Sequence, residues 1–150
     1  MSFRSRLATQ YLEAGGVISH PTDTIQGLAC LPRFESSIER IIQLKRRSTS
    51  KGLILLASDV RYFADYVADS SQLSQIAIDQ VPTTYLLEAS QNTSQLLTGG
   101  FDTVAIRLTD NPLVSNLCQR THSALVSTSA NTAGKDAATS VLDLVVFFKQ

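Results

Sequence analysis

Short apolar segments suited to strands alternate with segments of helical period along the whole chain, and this interleaving most limits the folds open to it. Residues 103–109 are the clearest strand: Val104, Ile106 and Leu108 face one way and Ala105 and Arg107 the other. Residues 17–20, 53–57, 83–89 and 124–127 also read as strands. Between them, Ile38, Ile41, Ile42 and Lys45 share one helical face, and Leu113, Val114, Leu117 and Cys118 share another. Phe3, Leu7, Ala8, Tyr11 and Leu12 have helical spacing before Gly15-Gly16, which stops that helix. Asp59 is placed to cap a helix with the stripe Val60, Phe63, Ala64 and Val67, and a short helix is expected over 72–79. Asp110-Asn111-Pro112 is a helix start with proline in the first turn. A last helix is expected from Ser140, with Asp143 completing a capping-box pair. Residues 22–27 and 128–136 read as loops. With no linker and no internal repeat, the pattern predicts one α/β domain over 1–150: a single twisted mixed β-sheet flanked by helices. Strand order cannot be read from it.

A chain of 150 residues with 43% hydrophobic and 17% charged residues is long and apolar enough to bury a core. Its formal net charge is zero, which argues against wrapping nucleic acid in a strong overall positive field. The one dense basic cluster is Lys45, Arg46, Arg47 and Lys51. Cys30 and Cys118 stand far apart with no zinc-type spacing, and read as buried thiols of a reducing cytosol. No signal peptide and no apolar run of about 20 residues is present, so no membrane association is expected.

The phosphate loop GxxxxGK[ST], the dinucleotide fingerprint GxGxxG and the nucleophile elbow GxSxG are all missing from the sequence. Four other segments concentrate polar chemistry. Ser19 to Leu28 puts hydroxyls, a carboxylate and a glycine at a strand end, which suits a polar ligand or an ordinary turn. His20 lies beside it, in a packing or a site role. Lys45 to Gly52 carries cations at a helix end, suited to a polyphosphate or to a solvated surface. Arg107 inside a strand needs a partner, either a ligand carboxylate or a structural acid such as Asp102 or Asp110. Ser127 to Gly134 follows a strand with hydroxyls and an amide, which can hold phosphates or ribose through hydrogen bonds.

Taken in order, these segments resemble the signature of the YrdC-like threonylcarbamoyl-AMP synthase family, in its short bacterial TsaC form. Pro21-Thr22-Asp23-Thr24-Ile25-Gln26-Gly27-Leu28 is similar to its PT-[DE]-T-V-[YF]-G-L block. Lys45-Arg46-Arg47 followed by Lys51-Gly52-Leu53-Ile54-Leu55 is similar to its K-x-R block and next strand. Leu97-Thr98-Gly99-Gly100-Phe101-Asp102 leads into Val104-Ala105-Ile106-Arg107, and Ser127-Thr128-Ser129-Ala130-Asn131 matches S-T-S-A-N. Gln26 replaces an aromatic residue, Ser48 a proline, and Gln80-Val81-Pro82-Thr83-Thr84 stands for P-G-P-x-T without its glycine, so that turn is expected to differ.

The resemblance implies an enzyme, a nucleotidyltransferase that forms threonylcarbamoyl-adenylate from L-threonine, bicarbonate and ATP for tRNA modification. The alternative is a catalytically impaired nucleotide- or RNA-binding member of the same fold. It implies ATP-binding by Lys45, Arg47, Ser127, Ser129 and Asn131, and threonine-binding by Thr22 and Arg107. It assigns no catalytic acid or base and no protein metal ligand, with Mg2+ shielding the triphosphate. Lys45, Arg46, Arg47 and Lys51 would contact tRNA or double-stranded RNA. A tRNA threonylcarbamoyl-transfer complex would be the partner, in the cytoplasm. Family members also continue a few dozen residues past the position of Gln150.

Overall fold

The computed structural model describes residues 2–22 and 25–147. In chain order its elements are α1 (Phe3–Glu13), β1 (Ile18–Pro21), β2 (Gln26–Cys30), α2 (Glu35–Lys45) and β3 (Ile54–Ala57). Two 3-10 helices follow, Val60–Tyr66 and Ser70–Gln75, then β4 (Tyr85–Glu88) and α3 (Gln95–Thr98). The chain goes on through β5 (Thr103–Leu108), α4 (Pro112–Thr121), β6 (Leu125–Ser129) and α5 (Val141–Phe147). The strands form one mixed sheet in the order β1-β2-β6-β3-β5-β4. β3 and β5 run parallel; the other neighbours are antiparallel.

The register explains why one face of this sheet is filled and the other is open at its middle. Leu55 pairs with Ile106 on one side and Val126 on the other, and all three are 0% exposed. They join Ile38 and Ile41 of α2 and Val114, Leu117 and Cys118 of α4 in one core. Moving one residue along each strand reverses the face. Ile54 then pairs with Ala105 and Ser127, and Leu56 with Arg107, and these five residues of the open face are only half-buried.

Several local expectations hold for visible reasons. Asn111 caps α4, accepting from the backbone N–H of Leu113 at 3.0 Å and Val114 at 3.2 Å, with Pro112 in the first turn. Ser140 and Asp143 form the expected reciprocal cap of α5: Ser140 Oγ accepts from Asp143 N–H, and Asp143 Oδ2 accepts from Ser140 N–H. Asn111→Ala is expected to cost about 1 kcal/mol. A lowered urea midpoint at unchanged slope would register it.

Other expectations are corrected. The helices predicted over 60–67 and 72–79 are 3-10 segments, Val60–Tyr66 and Ser70–Gln75, each buried at little more than one side chain, Phe63 and Leu73. Asp59 and Asp69 cap them by accepting from the N–H two residues on, at 2.9 Å in each case, and β-branched, aromatic and serine residues lower the helix propensity of both runs. The predicted loop over 22–27 contains the start of β2, which pairs with β1 as a hairpin. The predicted loop from Thr128 instead begins two residues later, because Thr128 and Ser129 pair with Leu28 and Gly27. On α1, Phe3, Leu7 and Tyr11 are 71%, 54% and 57% exposed; of that stripe the helix buries Leu12 and packs Ala8 against the core, and it buries Thr9 beside them. Among the described residues no helix is long and apolar enough to cross a membrane.

Candidate nucleotide and amino-acid site

The open middle of the sheet is bordered by three of the singled-out segments. The first is the end of β6. Ser127 and Ser129 are on the open face, because Ser127 pairs with Ile54 and Ala29, and Ser129 with Gly27. Beyond Ser129 the chain turns tightly, with Asn131 N–H donating to Ser129 C=O at 3.0 Å. The Asn131 side chain is used on both sides. Its Oδ1 accepts from Ser129 Oγ at 2.8 Å and from Lys45 Nζ at 2.5 Å, and its Nδ2 donates to Lys135 C=O at 2.7 Å.

Lys45 reaches this loop from the end of α2. Arg46 ends that helix in a left-handed conformation, φ 49°, and the N–H of Arg47 returns to Ile42 C=O. The ammonium of Lys45 donates to Ser129 C=O at 2.6 Å, Asn131 C=O at 3.2 Å and Asn131 Oδ1. Its own C=O accepts from Ala133 N–H at 2.7 Å. Lys45 is 2% exposed, and burial, then the charge of Arg47, brings its pKa down to about 8. The expectation that Lys45 joins a surface patch for RNA is therefore corrected: its head points inward, drawn by three oxygen acceptors. Arg46 and Lys51 are exposed. Arg47 is half-buried, donates from Nη2 to Gly52 C=O at 2.9 Å, and leaves its Nε buried without a hydrogen-bond partner among the described residues.

Arg107 stands on β5 in the open-face row of Leu56. Its Nε and Nη2 both donate to Thr84 Oγ1, at 3.0 and 2.8 Å. No acid pairs with it: among the described residues the only ion pair is Arg61 with Asp59 at 3.5 Å. Of the alternatives open in the sequence, Asp102 and Asp110 as structural partners are thus not realised. Thr84 is the site residue that sequence reading passed over. Its signal was the Thr84 position in the altered P-G-P-x-T block, one residue before β4.

Thr22 closes the β1–β2 hairpin: its hydroxyl donates to Ile25 C=O at 2.7 Å and accepts from Ile25 N–H at 3.2 Å. Asp23 and Thr24 of the same block lie outside the described residues. His20 is buried, with its ring over Gly27, where an added Cβ would meet Nε2 at 2.8 Å. Burial lowers its pKa, outweighing the Pro21 carbonyl near Nδ1, so the imidazole is neutral at pH 7. The glycine is needed there for close approach. Burial pushes the thiols of Cys30 and Cys118 up, to about 12 and about 11, which suits inert core residues rather than nucleophiles. Among the described residues no group of three His, Cys, Asp or Glu side chains is placed to hold a metal ion.

This geometry offers cations and hydroxyls around a half-open sheet face, and no acid among the described residues pairs with Arg107 there. Residues 10–150 match the profile of the Sua5/YciO/YrdC family, described as telomere recombination. A threonylcarbamoyl-AMP synthase of Nitrosococcus oceani is 40% identical over 146 residues, covering 95% of this chain and 79% of that protein. One from Pasteurella multocida is 40% identical over 128 residues, covering 81% and 69%. The structure of a double variant of P. abyssi Sua5 superimposes with a TM-score of 0.85 at 25% identity. That match covers 97% of this chain and 46% of that one, so the chain spans about half of the Sua5 protein.

Proposed function

The chain belongs to the Sua5/YciO/YrdC family, and from that premise we propose that it is a threonylcarbamoyl-AMP synthase acting on L-threonine, bicarbonate and ATP. The observation that carries this reading is the juxtaposition, on one open sheet face, of an arginine that no described acid pairs and a hydroxyl-rich loop stitched to the end of α2. Threonine lies between Thr22 and Arg107, with its carboxylate taking the guanidinium N–H groups that Thr84 does not use. The nucleotide lies against the segment built by Lys45, Arg47, Ser127, Ser129 and Asn131. Arg47 turns its forked cation toward the triphosphate. Mg2+ would arrive with the triphosphate as part of the substrate and shield the negative charge of its phosphate oxygens.

The reaction needs little acid–base help. The threonine amine attacks the carbon of bicarbonate, and hydroxide leaves as water with an amine proton. A carbamate oxygen then attacks the α-phosphorus, and pyrophosphate leaves. Holding the two ends in line and neutralising the triphosphate supply most of the acceleration. The product serves a tRNA-modifying transfer complex. Arg46 and Lys51, with Arg47, meet the backbone of tRNA or double-stranded RNA, so that binding weakens steeply with salt. The two free cysteines, Cys30 and Cys118, fit a cytoplasmic setting, where thiols stay reduced.

Pyrophosphate release is expected to require ATP, threonine and bicarbonate together, and to stop when any one is omitted. Nucleotide binding in calorimetry without release at high enzyme concentration would instead describe a binding relative that has lost the chemistry.

A further inference from the structure

Lys45 is the residue on which the two halves of the nucleotide segment meet, and its donors are already taken. An ammonium has three N–H groups. Those of Lys45 face Ser129 C=O at 2.6 Å, Asn131 C=O at 3.2 Å and Asn131 Oδ1 at 2.5 Å. The same residue accepts from Ala133 N–H through its backbone. One lysine thus fixes the loop at three successive alternate positions, 129, 131 and 133. Asn131 passes the constraint on, since its Oδ1 holds Ser129 Oγ and its Nδ2 holds Lys135 C=O. With Lys45 2% exposed and its ammonium donors engaged, a phosphate could reach them only by displacing these acceptors.

We propose that Lys45 is a positioning residue, which holds the Ser129–Lys135 loop in the shape that receives the nucleotide and does not itself touch the phosphates. The proposal rests on the nucleotide reading above but makes a separate claim about the loop. Direct phosphate contact then falls to Arg47, whose guanidinium has, among the described residues, only Gly52 C=O as a hydrogen-bond partner. The charged group acting on Lys45 is Arg47 from its own helix end. The loop faces it with two backbone carbonyls and an uncharged amide.

The test compares wild type and Lys45→Met by hydrogen exchange and by calorimetric titration with ATP and with AMP. The positioning role predicts exchange at least tenfold faster at the amides of 130–135, with the amides of β3 and β5 unchanged. It also predicts that ATP and AMP weaken by the same factor, about tenfold or more, because the loop meets the part of the nucleotide they share. A loss of ATP affinity with AMP affinity kept would overturn it, since only a ligand of the β- and γ-phosphates, which AMP lacks, discriminates the two. Unchanged loop exchange would overturn it as well.

Should Lys45→Met not fold, Lys45→Gln carries the test, because its shorter, uncharged amide cannot reproduce the three ammonium hydrogen bonds to Ser129 C=O, Asn131 C=O and Asn131 Oδ1. The 130–135 amides should again exchange at least tenfold faster, and exchange there at the wild-type rate would overturn the proposal. Failure of wild type to bind either nucleotide would count against the synthase reading alone, because the exchange experiment needs no ligand.

Discussion

Arg107→Ala is expected to lower kcat/KM for threonine by two to three orders of magnitude while leaving ATP affinity within about threefold. The guanidinium is half-buried on β5, and two of its N–H groups are fixed by Thr84 Oγ1 at 3.0 and 2.8 Å. That hydroxyl is neutral, so it aims the cation without cancelling its charge. A hydrogen bond to a charged group contributes about 1.5–3 kcal/mol, and a carboxylate on this fork can make two. Two such bonds near the lower end of that range give about 3–4 kcal/mol, which corresponds to the stated loss, at tenfold per 1.36 kcal/mol. Thr84→Val removes only the aiming contact and is expected to cost about tenfold, mostly in KM for threonine. Arg107→Lys keeps charge but not the planar fork, and should recover only part of the loss. An unchanged KM for threonine in Arg107→Ala would place the carboxylate elsewhere.

Gly99→Ala is expected to destabilise the protein by about 2–5 kcal/mol and to weaken nucleotide binding with it. Gly99 ends α3 at φ 67°, where a Cβ costs about 1–2 kcal/mol. The added carbon would also sit 2.5 Å from the Gly52 nitrogen and 2.8 Å from Lys51 C and Ser50 O. These are backbone atoms and have no rotamer by which to leave, so overpacking adds about 1–3 kcal/mol. The segment that must shift carries Gly52 C=O, the acceptor for Arg47. Gly100→Ala is the control: φ is 80°, but nothing lies within 4 Å of its added Cβ. It should show the backbone cost alone. Urea midpoints of the two variants separate the effects, and equal midpoints would remove the argument from close packing.

The elements legible in the sequence were those whose pattern is strong and local. Residues 103–109 alternate, and β5 follows them. Ile38, Ile41 and Ile42 share a face, and α2 buries that face. Asn111-Pro112 and Ser140 with Asp143 start helices by hydrogen bonds within a few residues of themselves. The weak elements were misread where a neighbour decides. Gln26-Gly27 has little strand propensity and becomes strand because β1 and β6 supply ladder partners on both sides. The run after Val60 has helical spacing but settles into a 3-10 helix.

The sequence by itself determined an α/β chain, its principal helices and strands, and the segments in which polar chemistry collects, since hydrophobic period, caps and residue type act over short distances. Tertiary structure decided which face of the sheet stays open, because that depends on register between strands far apart in the chain. It also decided the work of individual site residues. Thr84 aims Arg107 across 23 positions, and Lys45 turns inward to oxygens 84 and 86 positions away. No local pattern encodes such contacts, because they exist only once a buried ammonium must find acceptors in the folded chain.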